Sequence, residues 1–145
     1  MRRSAIFVPI VAAFLAIGGY VHFRIWQHEY RHAPVREMFV ANWVASAVTV
    51  ALLLVALAVP KLARPALSLS LAVSVGSLVA FALSRGPGMP TLHGTFKEHG
   101  LETTASYFFH AGSAKTILVT EWVAAVLSAW LVWPVRWPAR AAAKA

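Results

Sequence analysis

The pentapeptide His28-Glu29-Tyr30-Arg31-His32 fits the pattern H-E-x-x-H. On an α-helix, side chains four residues apart lie one above the other. His28 and His32 could therefore grip one Zn²⁺ while Glu29 activates a metal-bound water. That chemistry belongs to a membrane metallohydrolase with Glu29 as its base. Further along, His93 and His99 lie in a Gly- and Pro-punctuated stretch with Glu98 and Glu102. Imidazoles mixed with carboxylates suit zinc or copper. His28, His32, His93 and His99 form the candidate ligand set for copper, zinc or haem. Two features weigh against hydrolysis. Arg31 puts positive charge beside a dication, and the motif sits in a short connection where a catalytic metal wants a rigid cleft. His22 is six residues before His28, about 120° away around a helix, and does not join that face.

A second chemistry is offered by Glu121, the sole acidic residue inside a long apolar stretch. A carboxylate at such depth is costly, so it is a functional hypothesis by default. Arg24 and His22 are its candidate partners, and the three define an expected intramembrane polar cluster. Paired with Arg24, Glu121 would lock helices together. As a protonatable group it would serve a proton-coupled transporter. As a contact residue it would meet a partner subunit or cofactor.

The elements that must position these groups follow from composition. The chain of 145 residues is 59% apolar and 12% charged. A soluble domain is nearer about 45–50% and 25%. There is no Asp, one Asn and one Gln. The chain reads as a polytopic membrane protein. Without cysteine there is no disulfide framework, thiolate metal site, C-x-x-C redox centre or cysteine nucleophile. The net charge of +8 is spread around the apolar segments, which suits lipid headgroups and topology, and nucleic-acid binding is not expected.

Four apolar stretches, about 5–26, 39–59, 66–83 and 116–133, each approach the roughly 20 residues that cross the hydrocarbon as a helix. Pro34 and Pro65 stand at the entries of the second and third, while Pro60 and Pro134 close the second and fourth. Ser84-Arg85-Gly86-Pro87-Gly88 ends the third. The expected fold is all-α, a four-helix transmembrane bundle in one domain over 1–145, with a long outer loop between helices 3 and 4. The third span carries Ser68, Ser70, Ala72, Ser74, Gly76, Ser77 and Ala80, small residues that let helices approach closely in lipid.

Charge sets the orientation. Arg2, Arg3, Lys61, Arg64, Arg136, Arg140 and Lys144 are packed densely on the side of the N-terminus. Arg24, Arg31, Arg36, Arg85, Lys97 and Lys115 are spread over longer loops opposite. The density places both termini in the cytoplasm and all six histidines outside. Arg2-Arg3, an apolar run and Ala16-Ile17-Gly18 also resemble a cleavable signal peptide. The apolar run continues to Phe23, which favours an uncleaved first helix.

Gly19-Tyr20-Val21-His22-Phe23-Arg24-Ile25-Trp26, then Tyr30-Arg31-His32-Ala33-Pro34, then Leu83-Ser84-Arg85-Gly86-Pro87-Gly88-Met89-Pro90 and the Glu-bearing last helix resemble small four-span integral membrane proteins of high-GC actinobacteria. The resemblance implies a multi-pass protein of a bacterial plasma membrane and assigns no activity. In that pattern Tyr30-Arg31-His32-Ala33-Pro34 recurs and His28-Glu29 does not, which weakens the H-E-x-x-H reading. The expectation is an accessory or interaction subunit of a membrane complex, with other membrane subunits or itself as partner and a possible His-rich metal or haem site on its outer face. The metallohydrolase and the Glu121 transporter are the alternatives.

Overall fold

The computed structural model describes residues 2–32, 34–96 and 114–133. Helix α1 covers Arg2–Ile25 and runs into a π-helical turn over Trp26–Tyr30. Helix α2 covers Arg36–Ala58, a 3₁₀ turn follows over Pro60–Leu62, and α3 covers Ala63–Arg85. Strands β1 (Met89–Thr91) and β2 (Gly94–Phe96) form a hairpin, and α4 covers Ala114–Val132. All four α-helices are long and apolar enough to cross a membrane. A helix is what such a sequence must form in lipid, because every backbone N–H and C=O is then satisfied within its own segment. Prolines punctuate the α2–α3 junction. Pro60 opens the 3₁₀ turn, and Pro65 falls in the first turn of α3, where its missing N–H is harmless.

The helices stand in a ring. α1 packs on α2 and α4, and α3 packs on α4 and α2. Lipid supplies no hydrophobic drive between helices, so close packing of small residues has to hold them together. At the α1–α2 crossing, a Cβ at Gly19 would lie 2.7 Å from Ser46 Cβ, so only glycine permits the approach. Val8, Val11, Ala12 and Leu15 of α1 meet Leu53 of α2 with Ala66 and Leu67 of α3 in one apolar cluster. Towards the other end, Val21 and Ile25 pack with Ile117, with Tyr30 and Phe39 against them.

The third helix splits its small residues between two faces. Ser70, Ser74 and Ser77 are buried, while Ser68, Ala72 and Gly76 are exposed on the bundle's surface. A Cβ at Gly76 would meet nothing within 4 Å.

The all-α expectation needs one correction. The stretch after α3 folds as an antiparallel hairpin in which Met89, Pro90 and Thr91 pair with Phe96, Thr95 and Gly94. Its signals were local. Gly88 (φ +100°) and Gly94 (φ +117°) adopt backbone conformations that side chains disfavour, and a Cβ at Gly88 would also strike Thr95 Cγ2 at 2.5 Å. Thr91 Oγ1 closes the turn by donating to the Gly94 carbonyl at 2.7 Å and accepting from His93 N–H at 3.2 Å. The hairpin caps one end of the bundle. Phe96 packs edge-on to Tyr30 at 5.5 Å, Tyr30 stacks on Phe39 at 5.0 Å, and Met89 is buried.

Candidate functional site

The polar groups of the interior gather between the two apolar clusters. Glu121 of α4 is 1% exposed. Its carboxyl lies against the backbone of α1. A Cβ at Gly18 would stand 3.1 Å from Glu121 Oε1 and 3.2 Å from Thr120 Oγ1. Glycine at this position leaves the room that the carboxyl occupies. Neither carboxylate oxygen has a hydrogen-bond partner, and neither does the buried Oγ of Ser74. Ser74 and Ser77 of α3 are polar side chains close enough to act on the carboxyl.

His22 is one turn above Gly18 on α1. Its Nδ1 donates to the Gly18 carbonyl at 2.9 Å, since a carbonyl can only accept. In the neutral ring Nε2 is then the acceptor, and Ser77 Oγ lies 3.3 Å from it. One serine therefore touches the imidazole and lies close to the carboxyl. Phe39 covers the ring at a centroid distance of 5.6 Å, Tyr30 stacks on Phe39, and Phe96 lies edge-on to Tyr30 beyond it. The centre is closed at that end by aromatic side chains.

Other hydroxyls of the interior are satisfied locally. Thr120 Oγ1 donates to the carbonyls of Thr116 and Ile117, and Thr49 Oγ1 to that of Ala45. These are the back-bonds that Ser and Thr make inside helices. Ser128 Oγ donates to Ser70 Oγ at 3.0 Å and ties α4 to α3. Against this background the unpartnered Glu121 and Ser74 stand apart.

Of the expected cluster, the structure brings Glu121 and His22 to one centre through Gly18 and Ser77. It does not bring in Arg24. No ion pair joins Arg24 to Glu121, and the Nε of Arg24 has no hydrogen-bond partner. Gly18, Ser74, Ser77 and Thr120 belong to the centre and were not singled out as site residues from sequence. The signals present in the sequence are Ser70, Ser74 and Ser77 at helical spacing and the Gly18-Gly19 pair, while Thr120 has none.

The candidate metal ligands are distributed differently. His28 lies in the π-helical turn and His32 in the turn that follows it, both exposed. The side chain of Glu29 and the whole of His99 lie outside the described residues, as do Glu98, Glu102 and His110. His93, at the hairpin tip, points Nε2 to Glu37 Oε1 at 3.1 Å, and Arg36 Nε pairs with the same oxygen. Among the described residues, no three His, Asp or Glu side chains gather in a group that could hold a metal ion.

Comparisons of the chain with protein-family models, with curated proteins and with solved structures return no match, so the geometry alone carries the functional argument.

Proposed function

We propose that this is a multi-pass protein of a bacterial plasma membrane, with both termini cytoplasmic and the hairpin outside, that couples proton movement to movement of a small cationic solute through Glu121. One observation carries the proposal. A fully buried carboxyl stands within a membrane-sized helix bundle, and among the described residues neither oxygen has a hydrogen-bond partner and no counter-ion faces it. An unpaired carboxylate in such a place is costly, and either a proton or a cation at its oxygens removes the cost. The two cannot be held together by one charge. A group that must exchange one for the other has the elementary property of a coupling site. Ser74 and Ser77 add neutral oxygens beside it, and His22 shares Ser77 with it. The test uses the full chain in proteoliposomes with an imposed pH gradient. Uptake of a lipophilic monovalent cation should require the gradient and disappear in Glu121→Gln. Equal uptake in both proteins sinks the proposal.

A second reading is an interaction subunit of a membrane complex. The outward face of α3 favours it, since Ser68, Ala72 and Gly76 repeat every four residues with nothing covering them. Small residues at that spacing are how membrane helices associate. Cross-linking from Ala72 in the native membrane would identify the neighbour, and a strictly monomeric adduct pattern would end this reading.

A further inference from the structure

A groove of about 580 Å³ opens on the surface where the π-helical turn meets the start of α2. Its upper rim carries Trp26, Arg31, His32 and Arg36, and its wall continues down α2 along Val40 and Val44. Arg31, His32 and Arg36 are exposed, and Val44 is 41% exposed. Glu37 is the one acidic side chain in the lining, and Arg36 and His93 already hold it. That bond uses a single N–H of Arg36, and a guanidinium has five. With Arg31 and Arg36 against the single carboxylate of Glu37, the lining keeps net positive charge. Beneath the rim the wall is apolar for about one helical turn, from Val40 through Ala41 to Val44, on a helix long enough to cross a membrane.

We infer that this groove seats one anionic phospholipid, its phosphate among Arg31, His32 and Arg36 and one acyl chain along Val40 and Val44. Charge complementarity chooses the headgroup. The apolar wall chooses a lipid over a soluble anion, which would cover the cations and leave Val40 and Val44 bare. Guanidinium groups match phosphate oxygens in shape as well as charge, and an indole at the rim suits the glycerol level of the bilayer, apolar on one side and polar on the other. The inference does not rest on Glu121, and a failure of either leaves the other standing.

The test is lipid retention by the full chain in mild detergent, counted by native mass spectrometry with phosphatidylglycerol and phosphatidylcholine of identical acyl chains. One phosphatidylglycerol should be retained per chain, in several-fold preference to phosphatidylcholine. Arg31→Gln and Arg36→Gln should each weaken retention about fivefold, the effect of one basic residue at a lipid surface. Arg31→Lys should keep most of it. Val44→Trp leaves every charge in place and fills the wall, so its weakened retention separates a seated lipid from diffuse surface attraction. Excess inorganic phosphate should not displace the lipid. Equal retention of the two lipids, wild-type retention in both glutamine variants or in Val44→Trp, or displacement by phosphate would each overturn the inference. Both arginines are exposed, so helix content and melting of the variants should match the wild type. Should Arg36→Gln fail to fold, Arg31→Gln and Val44→Trp still decide.

Discussion

Gly18 of α1 and Glu121 of α4 are in contact across the helix interface, so close that a methyl group on Gly18 would sit 3.1 Å from the carboxyl oxygen. Glycine lets the backbone of α1 approach the carboxyl this closely with no side chain between them. Gly18→Ala asks Glu121 Oε1 and Thr120 Oγ1 to give way by a few tenths of an ångström. Thr120 is tied to two carbonyls, so the carboxyl is the group that moves. The expected loss of stability is under about 1 kcal/mol, because the displaced group is the end of a side chain. The expected loss of gradient-driven cation uptake is much larger. Thermal melting and flux measured on the same preparation check this. A large stability loss with intact flux would show that Gly18 serves packing alone.

Glu121 itself should be a stability liability. An unsatisfied buried polar group costs about 1–3 kcal/mol. Glu121→Met, of similar volume and apolar, should therefore raise the melting temperature in detergent, and Glu121→Gln should leave it unchanged or raised. An ion-paired glutamate predicts the reverse, since removing one partner strands the other charge. A lowered melting temperature in Glu121→Gln would point to a counter-ion and remove the ground for a coupling site.

How much of this was legible beforehand differs from element to element. Four helices follow from apolar runs of membrane length, because lipid forces each run to satisfy its own backbone. The singling out of Glu121, which the structure buries, follows from its being the lone acid in such a run. His22 as its neighbour was among the expected partners, whereas Arg24, the other, makes no ion pair with it. The two are two residues apart on α1, so they point about 200° apart around the helix, and His22 is buried where Arg24 is half-buried. The Gly18-Gly19 pair does not reveal the role of Gly18, because that depends on what crosses the glycine, and no pattern marks Thr120. The π-helical turn was also out of reach. It changes the phase of His28 and His32 relative to α1, and no residue type announces such a turn in advance.

His93 and Glu37 join the hairpin tip to the start of α2 at 3.1 Å, with both side chains partly exposed. Exposed pairs of this kind contribute under about 1 kcal/mol. Glu37→Gln should thus leave global melting unchanged and loosen only the local docking. Amide hydrogen exchange across Met89–Phe96 should speed up by up to about fivefold, the same energy expressed as a ratio. Added salt should produce part of this effect in the wild type and none in Glu37→Gln. Unchanged exchange would mean that the aromatic contacts of Phe96 and the burial of Met89 hold the hairpin alone.

The glycines of α1 and α3 offer a comparison that separates the fold from association. Gly19 is pressed on Ser46, where a Cβ would stand 2.7 Å from another Cβ, and neither atom can move without its helix. Gly19→Ala should cost about 1–3 kcal/mol through overpacking. Gly76 faces open space, so Gly76→Ala should leave melting of the isolated protein unchanged. Gly76→Leu should also fold normally, because the larger side chain points away from the bundle. Its consequence falls on whatever the Ser68-Ala72-Gly76 face touches, since two helices approach closely only where small residues line both. Fluorescence energy transfer between labelled chains in lipid should fall in Gly76→Leu if the partner is a second copy. Wild-type transfer in Gly76→Leu, together with normal melting, would exclude a second copy on that face and leave cross-linking from Ala72 to decide between another subunit and lipid.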